Sequence, residues 1–139
     1  MPPAQPLPDG YEFLLHGKEC DIVIKSKVKK ELEKKATEDQ RASLEDLIGR
    51  YAEGGAGALP AQKFNGNEDW FPSEKAPNKI RLQAFKPWKL RAYGFRRDFN
   101  GRSTFFITGL DPSKKQDRAK PEILKAAGRE AVRINELLR

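Results

Sequence analysis

Between Lys79 and Tyr93 the chain carries Lys79, Arg81, Gln83, Lys89, Arg91 and Tyr93 at steps of two within the runs KIRLQAF and WKLRAYGF. Successive side chains of a strand point to opposite faces, so this spacing gathers the polar members on one face and Ile80, Leu82, Ala84, Leu90 and Ala92 on the other. Adjacent strands lie about 4.8 Å apart, so the two polar rows would converge on one patch. Arginine grips phosphate oxygens with a bidentate fork, lysine supplies a point charge, and tyrosine stacks on a base. Such a patch suits single-stranded RNA or DNA.

The charge distribution agrees. Residues 79–139 hold sixteen Lys/Arg against six Asp/Glu, a balance of +10, whereas residues 1–78 hold eleven against fourteen, or −3. The net +7 is therefore a local property. A sheet can also turn a polar face to water merely for solubility, but such faces ordinarily mix their signs. Between Lys79 and Arg102 the only carboxylate is Asp98.

The elements that must position these side chains follow from periodicity. Ile22, Val23 and Ile24 are consecutive β-branched residues suited to a strand buried on both faces. From Ser26, a candidate cap, Val28, Leu32 and Ala36 recur every four residues and predict a helix. Thr37 and Gln40 form a capping-box pattern that opens a second helix with Leu44, Leu47, Ile48 and Tyr51 on one face, ending at Gly54-Gly55. Residues 54–78 are rich in glycine and proline, show no sustained period, and read as a long loop. Within it, Trp70 and Phe71 read as a staple onto the core ahead of a ligand contact.

Three strands then follow, over 79–85, 88–96 and 102–110, with Asn100-Gly101 as a tight turn between the last two. Pro121 at a helix start and Ile123, Ala127, Ala131, Ile134 and Leu138 predict a C-terminal amphipathic helix. The expected fold is α+β: a small antiparallel sheet, made of one N-terminal strand and a three-strand meander, packed on two N-terminal helices and a C-terminal one. Residues 1–20 read as a proline-rich N-terminal segment and 21–139 as one domain, since 139 residues suffice for a single core.

No apolar run approaches the roughly 20 residues that span a bilayer, and no membrane partner is expected. The first residues lack the basic and apolar regions of a secretory signal, so the cytoplasm is the expected compartment. Cys20, the only cysteine, reads as packing filler. His16, the only histidine, reads as a surface or turn residue. No His/Cys cluster has metal-ligand spacing, and GGAGAL lacks the Lys-Ser/Thr ending of a phosphate loop, so neither a metal nor another cofactor is expected.

KLRAYGF, followed by FFITGLDPSKKQDRA running into PEILKAAGREAVRI, resembles the RelE/ParE toxin superfamily, particularly its HigB-like, phage-associated branch. The likeness covers Asp21 to about Glu136. It implies the toxin of a type II toxin-antitoxin pair: a metal-independent endoribonuclease, or mRNA interferase, that often acts on the ribosome and is neutralised by a cognate antitoxin protein. In that chemistry the ribose 2′-OH attacks the adjacent phosphate. On the matching positions Arg91 would hold the scissile phosphate, with Lys89, Arg81 and Lys114 assisting catalysis. Lys79, Tyr93, Lys115 and Arg118 would bind the substrate, Tyr93 by stacking.

One departure stands out. Many HigB-like members carry a histidine before the glycine of the last strand, where this chain has Thr108. The competing expectations are a ParE-like gyrase inhibitor and a nucleic-acid-binding module without catalysis.

Overall fold

In a computed structural model, residues 3–112 and 120–139 are described. The strands are β1 (Tyr11–His16), β2 (Asp21–Lys25), β3 (Phe64–Pro72), β4 (Lys79–Phe85), β5 (Arg91–Phe99) and β6 (Arg102–Asp111). The helices are α1 (Ser26–Lys35), α2 (Glu38–Gly54) and α3 (Pro121–Leu137). All six strands join one sheet in the order β1-β2-β6-β5-β4-β3.

The α+β class holds, with a larger sheet than periodicity predicts. Residues 11–16, which composition groups with the N-terminal segment, form an edge strand antiparallel to β2. Residues 64–72, within the expected loop, form the opposite edge, antiparallel to β4. The sheet is mixed rather than antiparallel, because β2 runs parallel to β6, pairing Ile22 with Phe105 and Ile24 with Ile107. A parallel pair needs a long crossover, and α1, α2 and the meander supply it.

Both faces are covered. Ile22 and Ile24 of β2, Phe105 and Ile107 of β6 and Phe85 of β4 pack with Val28, Leu32, Leu44, Ile48 and Tyr51 of α1 and α2. Val23, Phe106, Ile80, Leu82 and Phe95 pack on the other face with Ala127, Ala131 and Ile134 of α3. The β-branched run Ile22-Val23-Ile24 is thus buried on both sides, as its composition requires. Tyr51 lies at the centre of the first layer, its ring centroid 5.3 Å from those of Phe64, Phe85 and Phe105.

Helix ends follow local chemistry. Gln40 N–H donates to Thr37 Oγ1 at 3.1 Å and Thr37 N–H to Gln40 Oε1 at 2.9 Å, a complete capping box. Gly55 closes α2 at φ 74°, where a side chain would be strained. Ser26 is not a cap: Lys25 occupies that position, and Ser26 Oγ donates instead to Glu12 Oε2 at 2.7 Å, tying α1 to β1. The Asn100-Gly101 turn forms with both residues left-handed, at φ 51° and 80°.

Small residues let α3 lie close on the sheet. A Cβ at Gly109 would come within 2.6 Å of Ala127 Cβ, and one at Gly128 within 2.1 Å of Phe71 Cζ. Phe71 is therefore the staple expected of it, holding β3 to α3, while Trp70 beside it is 51% exposed.

Glu130 fastens α3 to the first two strands. It accepts from Tyr11 Oη at 2.7 Å, from Arg133 Nε and Nη2 at 2.8 Å each, and faces Lys25 Nζ at 3.4 Å. Burial pushes its pKa up, but the bonds from Arg133 and Tyr11 and the Lys25 charge outweigh burial and bring it down to about 2 from 4.5. A carboxylate lowered in this way stabilises the fold fully above its unfolded value, and the gain disappears as pH falls through the folded one. The difference is worth about 3 kcal/mol. Glu130→Gln should therefore lower neutral-pH stability by about that amount, and urea titrations of the two proteins should converge as pH drops from about 4.5 to about 2.

Candidate functional site

Strand pairing separates the residues that alternation groups together. Within β4, Ile80, Leu82 and Ala84 face α3, so Lys79, Arg81 and Gln83 belong to the face that carries Phe85 and the α1/α2 layer. The register then pairs Ala84 with Tyr93 and Phe85 with Ala92. Arg91 and Tyr93 consequently lie on the α3 face, opposite to Arg81. A common face for all six side chains is corrected by this pairing.

Arg81 and Gln83 form a local unit of their own. With its amide oxygen turned toward Arg81, Gln83 accepts from Nε at 3.0 Å and Nη2 at 2.9 Å. Arg81 also lies over the Trp70 ring, 6.0 Å from its centroid, on the cross-strand partner residue. Lys79 is exposed at the start of β4. Gln83, in contrast, is buried.

Lys89 is not in a strand. β5 begins at Arg91, and residues 86–90 form a turn closed by Leu90 N–H donating to Pro87 O at 2.9 Å. Its two central residues, Trp88 and Lys89, are both left-handed, at φ 48° and 66°. Trp88 is 60% exposed, and Lys63 Nζ sits 5.2 Å from its ring centroid. The turn is held from α2, where Gln40 Nε2 donates to Trp88 O at 3.0 Å. No local signal in KPWKL announces that contact, because it comes from 48 residues away.

Arg91 opens β5 directly opposite Asp111, the last residue of β6. The chain enters 113–119 just beyond Asp111, so the register brings Arg91 to the base of the segment holding Lys114, Lys115 and Arg118. Those three lie outside the described residues. Tyr93 is fully buried beside Arg91, which corrects its expected role: a ring at 0% exposure cannot stack on a base. Its hydroxyl has no hydrogen-bond partner among the described residues. Burial chiefly, then Glu68, raises its pKa, with Arg91 opposing and Asp111 adding, so it stays a neutral phenol.

The lack of carboxylates seen along the sequence does not survive folding, because β3 and β6 bring Glu68 and Asp111 toward this site. Several cations of the basic half are also committed to the fold. Arg102 grips Asp21 at 2.8 and 2.9 Å, Arg96 bonds Ser103 Oγ at 2.6 Å and Glu19 Oε1 at 3.3 Å, and Arg97 bonds Asn135 Oδ1 at 3.1 Å. At the β4–β5 end the fold gathers Lys86, Lys89 and Arg91, and Lys63 joins them through its carbonyl, which accepts from Lys86 N–H at 2.8 Å.

Thr108 is a bulge residue. Tyr93 pairs with Gly109 and Gly94 with Ile107, so Thr108 is the extra member of β6. It is buried and donates to Ala127 O of α3 at 2.9 Å. His16 is remote from Arg91, on edge strand β1, with Nδ1 3.2 Å from Asp21 Oδ1. Cys20 is fully buried and its thiol pKa is pushed up to about 11, first by burial, as packing filler should be.

Among the described residues no helix is long and apolar enough to cross a membrane, and no three His, Cys, Asp or Glu side chains are grouped as a metal would need. No protein-family model, curated protein or solved structure matches the chain.

Proposed function

We propose that the protein is a metal-independent endoribonuclease of the RelE/ParE kind, an mRNA interferase whose cognate antitoxin restrains it. The observation that carries the reading is the pairing of Arg91 with Asp111, which seats the arginine of KLRAYGF at the root of the DPSKKQDR segment. Two motifs separated in sequence thereby meet at one end of the sheet. Support also comes from the element order on which the resemblance rests: a strand, two helices, a meander and a closing helix, with β1 and β3 added at the edges.

In this mechanism the 2′-oxygen forms a bond to phosphorus while the bond from phosphorus to the 5′-oxygen breaks. The products are a cyclic 2′,3′-phosphate and a 5′-hydroxyl end. Arg91 meets the phosphorane with two parallel N–H groups, and Lys89, two residues earlier at the tip of the turn, adds a second charge. Proton transfer falls to Lys114, while Lys115 binds a neighbouring phosphate. Tyr93, buried and neutral, supports Arg91 from within the sheet and does not contact a base. Arg81, Lys79 and Arg118 contribute long-range attraction for the polyanion.

A second reading, nucleic-acid binding without cleavage, is favoured by Thr108. Its hydroxyl is spent on α3, and no imidazole stands in its place. Induced expression with mapping of transcript 5′ ends separates the two. New internal ends with arrested growth are the expected result; RNA binding with no new ends leaves the binding module, and gyrase inhibition without new ends selects the ParE-like alternative.

A further inference from the structure

The burial of Tyr93 leaves the phosphate site without the stacking surface that sequence spacing assigns to it, and the turn before Arg91 presents a replacement. We infer that Trp88 is a base-stacking platform for single-stranded RNA, holding the nucleotide next to the phosphate at Arg91; this rests on the ribonuclease reading for its substrate.

The first argument is conformational. Tight turns with two left-handed central residues normally use Asn-Gly or Asp-Gly, as Asn100-Gly101 does at the next turn of the same meander. Residues 86–90 place Trp88 and Lys89 there instead, at φ 48° and 66°. A bulky residue in that region is strained, and such strain persists only where the surroundings impose it. Here they do: Pro87 and Leu90 are buried on either side, Leu90 N–H closes the turn, and Gln40 clamps the Trp88 carbonyl. The result projects the largest aromatic side chain of the segment outward, 60% exposed, from a rigid base.

The second argument is the chemistry around the ring. Lys63 covers part of it at 5.2 Å, and Lys86, Lys89 and Arg91 belong to the same turn and strand start. An aromatic face bordered by cations matches a base with its flanking phosphates, and stacking tolerates any base because each has a π-face. The Cα atoms of Trp88 and Arg91 are at most about 11 Å apart, close enough for one bound strand to touch both. The same cations would repel a basic peptide and give an apolar one nothing to offset their desolvation.

The test uses the full chain and a short 2′-O-methyl oligouridylate, which cannot undergo attack by its own 2′-oxygen. The chain has two tryptophans, so Trp70→Phe leaves Trp88 as the only indole reporter. Its emission should quench on binding, with a midpoint that weakens steeply as salt rises. Trp88→Gly should bind the oligonucleotide about tenfold more weakly, yet melt at a higher temperature because glycine relieves the left-handed strain. Trp88→Phe should keep most of the affinity. Unchanged Trp88 emission at saturation, or wild-type affinity in Trp88→Gly, overturns the platform. Quenching with no transcript cleavage would leave the platform standing and remove the nuclease; unchanged cleavage kcat/KM in Trp88→Gly would do the reverse.

Discussion

Arg91→Ala is expected to abolish growth arrest on induction and to slow RNA cleavage by about 10²–10³, the usual cost of deleting one oriented donor to a developing oxyanion. Three features single out this arginine among the sixteen cations of residues 79–139. It begins β5, so the strand fixes its backbone; its cross-strand partner Asp111 is the last residue before the lysine-bearing segment; and Tyr93 packs beside it within the sheet. Arg91→Lys should recover only part of the activity, because an ammonium keeps the charge but loses the planar fork.

Arg81→Ala is the instructive control. Arg81 lies on the other face, engaged with Gln83 and Trp70, and its loss should weaken binding modestly without stopping cleavage. Undiminished arrest in Arg91→Ala, particularly beside a silent Arg81→Ala, would sink the proposed site. Circular dichroism and thermal melts of Arg91→Ala should show a folded protein, as expected for a half-buried side chain.

The largest stability effect should come from Gly94→Ala. A Cβ at this position would stand 2.2 Å from Phe106 O and 2.4 Å from Phe105 Cε1. The first contact is backbone of the neighbouring strand, which cannot yield without breaking the β5–β6 ladder. The second is a ring locked among Tyr51, Phe85 and Ile107 in the first layer. Gly94 also sits where the register slips past Thr108, so the ladder there is already interrupted. Overpacking of this kind costs about 3 kcal/mol or more. A urea midpoint shifted down at unchanged m-value would show it; a midpoint within error of wild type would mean that β5 and β6 are not packed in this register.

Much of the architecture can be read from local pattern because local forces decide it. The bounds of β4, the capping box at Thr37 and Gln40, the Asn100-Gly101 turn, Pro121 at the start of α3 and the doubly buried run at Ile22–Ile24 each depend on residues within a few positions of one another. The edge strands do not announce themselves. FNGNEDWFP has little strand propensity, and it is extended because β4 offers it a ladder while Phe71 finds a gap over Gly128.

For the site, the sequence by itself determined which side chains are available, that they concentrate after Lys79, and which alternate within each strand. Only the tertiary structure decided which face each strand turns to which helix. Period-two alternation is silent about the neighbouring strand; the registry Ala84–Tyr93, set by the 86–90 turn, puts Arg81 and Arg91 on opposite sides. With helices on both faces there is no single apolar side to infer, so Tyr93 became core and Trp88, which alternation would bury, became surface. A one-residue difference in pairing exchanges the two faces, and the 86–90 turn that fixes it is itself held from α2, where Gln40 Nε2 donates to Trp88 O.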